Sequence, residues 1–281
     1  MPEVAIETTL PQPAQARASG SSFYAAMRIL PRAQREAMFE IYSFCRAVDD
    51  IADDGGPRDK RLSDLQQWRD DVDALYGSVP PERLRGLAEA TRQFGLRRED
   101  FLAVVDGMEM DVHGDIRAPD RATLDLYCDR VASAVGRLSV RVFGMEEKAG
   151  IALAHHLGRA LQLTNILRDI DEDAGIGRLY LAREALYHAG ITTTDPASAI
   201  ASPAIGRACA PLVASAQSHF AEADRIMRAA PRRAVKAPRI MSEAYQVILR
   251  GLLSRGFTPP RATIKIPRWR FFWILLRYAI V

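Results

Sequence analysis

Cysteine is scarce: among 281 residues there are three, Cys45, Cys128 and Cys209. Their odd number, wide separation and lack of any CxxC or Cys/His spacing point to neither a disulfide framework nor a zinc site, and they fit a reducing cytoplasm. Aromatic residues make up only 7%, and runs of Val, Ile and Thr alternating with polar residues are hard to find, which argues against sheets. No GxGxxG turn follows a strand-like run, so the dinucleotide fingerprint is missing. Nor is there a secretory signal. The first residues carry Glu3 and Glu7, have no apolar stretch and run Pro/Gln/Ala-rich to Gln15, so residues 1–18 are expected to be a disordered leader.

What the chain does contain is helix-forming sequence. It is 48% hydrophobic and 26% charged, ordinary globular statistics for one large domain, expected over residues 19–265. Apolar residues recur at helical spacing from Ser22 to Asp54, broken at Pro31 and stopped by Gly55-Gly56-Pro57. Further helices are predicted over 58–76, 81–94, 97–112, 120–143, 146–171, 181–188, 203–229 and 237–254, separated by Pro and Gly signals. The expected fold class is therefore all-α.

Charge is unevenly spread. From Arg225 onward thirteen Lys/Arg face one acid, Glu243, a balance of +12 against +3 for the whole chain, so residues 1–224 carry −9. The acidic part is suited to holding cations and the basic tail to meeting an anionic surface. In residues 266–281, Phe271-Phe272-Trp273-Ile274-Leu275-Leu276 lies between Arg270 and Arg277, far short of the roughly 20 apolar residues a membrane span needs. Such a helix can lie among lipid headgroups or dock on the protein's own core, and both readings are open. No recognition motif accompanies the basic charge, so nucleic acid is not expected as a partner.

Two segments carry candidate chemistry. In YSFCRAVDDIADD, Tyr42, Arg46, Asp49 and Asp53 step by four, three and four residues and so stack as one polar stripe on an apolar helix. Asp49 and Asp53 are one turn apart, about 6 Å, close enough to converge on a divalent cation. In LQLTNILRDIDED, Gln162, Asn165, Asp169 and Asp173 repeat the pattern among Leu161, Leu163, Ile166, Leu167 and Ile170. Either DxxxD alone also fits a solvated helix face, with Arg46 pairing to Asp49 or Asp50. Two such stripes in one helical chain favour a buried site, since burying carboxylates and amides costs several kcal/mol apiece unless they are hydrogen-bonded or metal-bound. The acids Asp106, Glu109, Asp111 and Asp115 read as a mainly solvated cluster, with tuning of a metal site as the lesser alternative. His155, His156 and His188 show no partner spacing and read as ordinary side chains.

Paired carboxylate stripes suit ionisation of an allylic diphosphate. The leaving group needs hard cations and Arg, while the carbocation needs a water-free, helix-lined pocket with aromatic faces.

These two segments resemble the aspartate-rich signatures of the squalene/phytoene synthase family. Ser22-Phe23-Tyr24, Tyr127-Cys128 with Val131-Ala132 and Gly136, and Gly177-Arg178-Leu179-Tyr180-Leu181 resemble further family segments, and the likeness runs from about Ser22 to Leu253. It implies a single-domain α-helical isoprenoid synthase fold with the two aspartate helices facing each other across a central cavity. It implies that Asp49, Asp53, Asn165, Asp169 and Asp173 hold Mg²⁺, with Mn²⁺ as a substitute. Ser22, Arg46, Arg168 and Gln162 would then contact diphosphate, with Phe23 in the same substrate segment. Tyr42, Tyr127, Tyr180 and Tyr245 would sit by the reacting chains, and Val131, Ala132, Gly136 and Gly158 would shape the cavity. From the residues alone, Tyr127 and Tyr245 fit core aromatics equally well, and Gly158 fits a close helix contact.

Within the family, SSFYAAMRILPRAQREAMFEIYSFCRAVDDIADD and LYCDRVASAVGRLSVRVFG look most like the bacterial branch serving hopanoid synthesis, which makes presqualene diphosphate. The resemblance implies two farnesyl diphosphates as substrates, no NADPH, and downstream isoprenoid enzymes as partners. The cysteines lead us to expect a cytoplasmic setting, and Trp269, Trp273 and the Arg residues around them peripheral contact at the inner face of the cell membrane. Phytoene synthase, using longer chains, and squalene synthase, which binds NADPH without a GxGxxG, are the alternatives. From another class, a non-catalytic helical protein docking through its basic tail remains to be separated by experiment.

Overall fold

The structure is a computed structural model and describes residues 26–53, 55–77, 79–114 and 116–279. The leader, Ser22, Phe23 and Asp115 lie outside the described residues. Apart from one isolated bridge, the described residues form helices and turns.

Helix α1 (Arg32–Asp53) starts where Pro31 offers its carbonyl to the Arg35 amide, 2.9 Å, and buries Met38, Ile41, Phe44, Val48 and Ala52 along one stripe. Helices α2 (Arg58–Leu75), α3 (Arg85–Phe94) and α4 (Arg98–His113) pack around it. Phe44 meets the edges of Trp68 and Phe101 at 5.4 and 5.1 Å between ring centres, which fixes α1 against α2 and α4. Helix α3 stops at Gly95, whose φ of 60° is a conformation that side-chain-bearing residues rarely adopt.

Helix α5 (Arg121–Cys128), capped by Asp120 accepting the Thr123 amide at 2.7 Å, runs through a π-helical turn, Asp129–Ser133, into α6 (Ala134–Val142). The expected single helix over 120–143 is thus locally unwound, and Val131 in that turn packs on both halves of the core. The central helix is α7 (Glu147–Arg168), which packs on α6, on α11 (Ile205–Ala229) and on α12 (Lys236–Arg255). Between α7 and α11 come α8 (Ile170–Gly175), α9 (Arg183–His188) and α10 (Pro196–Ala201). The helix expected over 146–171 is interrupted at Asp169, where φ −98° and ψ 13° end α7 and begin α8. Helix α10, capped by Asp195, is an addition to the predicted set.

One core joins α1 to α4 with α6, and a second joins α5, α7, α9 and α11. A smaller apolar cluster seats α13 (Arg268–Ala279) on α12 through Ile274, Ile240, Met241, Ala244 and Val247. Full burial of Ile274 contributes roughly 2 kcal/mol, enough to bias the terminal helix toward the body of the protein.

Candidate active site

Helix α1 carries the first motif on its last turns. The Arg46 guanidinium donates to Asp49 at 3.2 Å and pairs with Asp50 at 2.9 Å, on a face that is half exposed. Asp49 is pushed up to about 6, first by partial burial and then by Asp53, with smaller pushes from Asp50 and Asp111; Arg46 opposes them. Asp53 instead accepts from Arg178 at 2.8 Å.

The second motif straddles the α7/α8 break. Asn165 points a buried Oδ1 that has no hydrogen-bond partner, an expensive arrangement unless a cation or ligand fills it. Arg168 forks onto the neighbouring Asp169 with two bonds of 2.6 Å, and Tyr245 from α12 lies near the same guanidinium. Asp173 is pushed up to about 7, mainly by burial and then by the charge of Asp169; Asp111 and Glu172 add to this and Arg178 opposes it. Asp171 faces away from this group: Arg261 grips it at 2.8 Å and also donates to the Ile200 and Phe257 carbonyls.

Between the motifs lies a network that sequence reasoning passed over. After α4 the chain pairs with the segment following α8, Leu179 N–H to Ile116 O and Ala118 N–H to Leu179 O, each 2.8 Å. That short bridge sets Arg178 and Tyr180 in place. The Arg178 amide donates to the Asp173 carbonyl at 2.8 Å, while its guanidinium reaches Asp53 and, at 3.2 Å, the Ala52 carbonyl. One arginine therefore ties the second motif to the first.

Asp111 was expected to be solvated; its side chain is only 4% exposed. Its carboxylate accepts from Tyr180 Oη at 2.7 Å and Tyr127 Oη at 3.0 Å, with Arg178 Nε 4.0 Å away. Burial raises the Asp111 carboxyl, and its charge in turn raises both Asp49 and Asp173, so it stands between the two motifs. The two tyrosine rings stack at 5.0 Å. Among the described members of the acidic cluster, Asp106 and Glu109 are part-exposed and both pair with Arg69. The missed signal for Asp111 was its place on the buried flank of α4; nothing in local spacing identified Arg178 as the link.

The remaining expected residues lie on α1, α6, α7 and the π turn. Tyr42 and Ala132 are half-buried, and Gln162 lies half-buried on α7. Gly136 and Gly158 do not face open space. A Cβ on Gly158 would lie 2.8 Å from Ser133 Cα and 3.0 Å from the Ala132 carbonyl carbon, and one on Gly136 would lie 3.0 Å from Ala154 Cα. These glycines let α7 approach the π turn and α6; any influence on a cavity acts through Val131 and Ala132 in that turn.

The donor set of Asp49, Asp53, Asn165, Asp169 and Asp173 is all oxygen, which suits Mg²⁺ or Mn²⁺. The unpartnered Asn165 oxygen and the crowding that raises Asp49 and Asp173 are what a site built around an added cation shows.

A helical body with two carboxylate-rich motifs joined through Arg178 and Asp111 defines an α-helical isoprenoid synthase. The squalene/phytoene synthase model matches residues 16–270, and the chain belongs to that family. It is 65% identical to a presqualene diphosphate synthase of Rhodopseudomonas palustris over 96% of this chain and 98% of that protein. To a phytoene synthase of Mycobacterium tuberculosis it is 37% identical over 62% of this chain and 57% of that one. A crystal structure of a dehydrosqualene synthase with ligand superposes with a TM-score of 0.82 at 25% identity, covering 94% and 93% of the two chains.

Proposed function

We propose that the protein joins two farnesyl diphosphates head to head to give presqualene diphosphate, releasing one diphosphate and a proton and consuming no reductant. The observation that carries this reading is the full-length likeness to a presqualene diphosphate synthase, set against a likeness to phytoene synthase that spans under two thirds of the chain. Asp49, Asp53, Asn165, Asp169 and Asp173 would hold Mg²⁺, which when bound offsets the charge of the departing diphosphate. Arg46 and Arg168, with Gln162 and Ser22, would take up diphosphate oxygens; Arg168 would do so by exchanging its partner from Asp169 to the substrate. Arg178 keeps the two motifs in register, and the Asp111-bound pair Tyr127 and Tyr180 presents a fixed aromatic wall beside them. Tyr42 and Tyr245 complete the surroundings of the prenyl chains, and Ser22 and Phe23 belong to the substrate segment. Incubation of purified protein with Mg²⁺ and farnesyl diphosphate, without NADPH, is expected to yield presqualene diphosphate. Use of geranylgeranyl diphosphate alone, or turnover surviving Asp49→Asn and Asp169→Asn, would overturn the assignment.

The protein's setting is read from α13. Its Ile274 face packs on α12, while Trp269, Phe272 and Trp273 are 66, 59 and 61% exposed beside Arg270 and Arg277. One face thus docks on the core and the other stays exposed. Among the described residues no helix is long and apolar enough to cross a membrane. The exposed face supports peripheral attachment to anionic lipid at the cytoplasmic membrane, where a long apolar product passes to downstream isoprenoid enzymes. Trp269→Ser with Trp273→Ser is expected to reduce co-sedimentation with anionic vesicles; equal sedimentation would refute this.

A further inference from the structure

His155 and His156 on α7 meet His219 on α11, two helices packed along most of their length, one to three turns upstream of Gln162 and Asn165. Adjacency in sequence made the first two look unpaired; the partner comes from sixty-odd residues downstream. His156 Nδ1 and His219 Nδ1 are 3.0 Å apart, and the ligand-capable nitrogens of all three lie within 4.8 Å of one another. Two imidazole lone pairs at that distance must share either a proton or a cation. On one tetrahedral ion with bonds of about 2.0–2.1 Å, imidazole nitrogens sit roughly 3.3 Å apart, so His156 and His219 are already near the spacing and His155 needs a swing of about 1.5 Å.

The surroundings hold charge of both signs. Arg159 is close, yet its guanidinium is committed to Asp125 at 2.8 and 3.1 Å, to Asp129 at 3.1 Å and to Ser133 at 2.8 Å. Those carboxylates bring negative charge beside the imidazoles. Burial, then the neighbouring histidines and Arg159, pushes His219 down to about 4, and burial with Arg159 also lowers His155, so both rings are neutral near pH 7 with lone pairs free. A recess of about 270 Å³ lined by Asp125, Arg159, Leu212, Ser215 and His219 opens this corner to solvent.

We propose that His155, His156 and His219 form a site for a borderline divalent transition-metal ion, Zn²⁺ being the natural occupant, distinct from the oxygen-donor site. An all-imidazole set selects Zn²⁺, Ni²⁺ or Cu²⁺ over Mg²⁺. The ion clamps α7 to α11 two and a half turns upstream of Asn165 on the same helix.

The test uses full-length protein stripped of metal and then saturated with Mg²⁺, which occupies the carboxylates. Zn²⁺ titrated by calorimetry at about pH 7.5 is expected to bind at one equivalent and to raise the melting temperature by roughly 5 °C at a hundredfold excess over Kd. His219→Gln and His156→Gln are each expected to weaken binding at least about tenfold, while Asp49→Asn leaves the Zn²⁺ isotherm unchanged. In the parent, Co²⁺ is expected to give the strong visible absorption of a low-coordinate nitrogen site. Absence of a saturable equivalent, a pale octahedral Co²⁺ spectrum, or an isotherm unaffected by both histidine variants would each overturn the proposal.

Discussion

Gly158→Ala tests how the π turn is held. A Cβ there would lie 2.8, 2.9 and 3.0 Å from Ser133 Cα, Ser133 N and the Ala132 carbonyl carbon, all backbone atoms that cannot rotate aside. Relief requires α7 and the Asp129–Ser133 turn to part by several tenths of an ångström. Overpacking of this kind costs about 1–3 kcal/mol. Alanine's better helix propensity returns about 0.5–1 kcal/mol. The net loss is up to about 2.5 kcal/mol, a fall in melting temperature of up to roughly 5 °C for a chain of this size.

Because Val131 and Ala132 ride on the displaced turn, KM for farnesyl diphosphate is expected to rise by more than kcat falls. Two further glycines calibrate the reasoning. Gly136→Ala meets Ala154 at 3.0–3.2 Å and should lose less than Gly158→Ala, whereas Gly206→Ala has no atom within 4 Å and should melt at or slightly above the parent. Thermal melts of the three variants, with Michaelis kinetics for Gly158→Ala, decide the matter. A Gly158→Ala protein that melts at or above the parent, or above Gly136→Ala, would refute the reading.

Asp173 titrates at about 7 in the fold against 3.8 ordinarily, so its contribution to stability is complete below about pH 4 and is lost as pH rises through 7. Metal-free Asp173→Asn is therefore expected to gain on the parent between pH 5 and 8, by about 1–2 kcal/mol after solvent screening, and to lose most of its stabilisation by Mg²⁺; pH-dependent melts with and without Mg²⁺ check both. Asp111→Asn removes a charge that raises Asp49 and Asp173, so the acid limb of the pH–rate profile should move down by about half a unit, and an unmoved limb counts against the placement of Asp111. Arg178→Gln cuts the bridge to Asp53 and Ala52, with an expected loss of about 1–2 kcal/mol and a fall in turnover larger than that loss explains. Parental stability and turnover in that variant would show the bridge to be incidental.

The amino-acid order by itself determined the helices and the two carboxylate stripes, because those depend on neighbours three and four residues away and on Pro and Gly stops. Pro31, Gly55-Gly56-Pro57 and the apolar positions of α1 needed no partner to be read. Tyr42 through Asp53 declared themselves as a polar face on one apolar helix, and Gln162 through Asp173 did so up to the break at Asp169. Tertiary structure alone decided what each face meets. Asp111 looked like a surface acid until the Ile116–Ala118 segment paired with Leu179 and brought Tyr180 and Arg178 to it. The space spared by Gly158 was taken by backbone of a π turn that periodicity could not foresee, and His155 and His156 found their partner on α11. The physical reason is common to all three: burial and charge pairing depend on distances between helices, which are set by packing over the whole chain and leave no mark on local spacing.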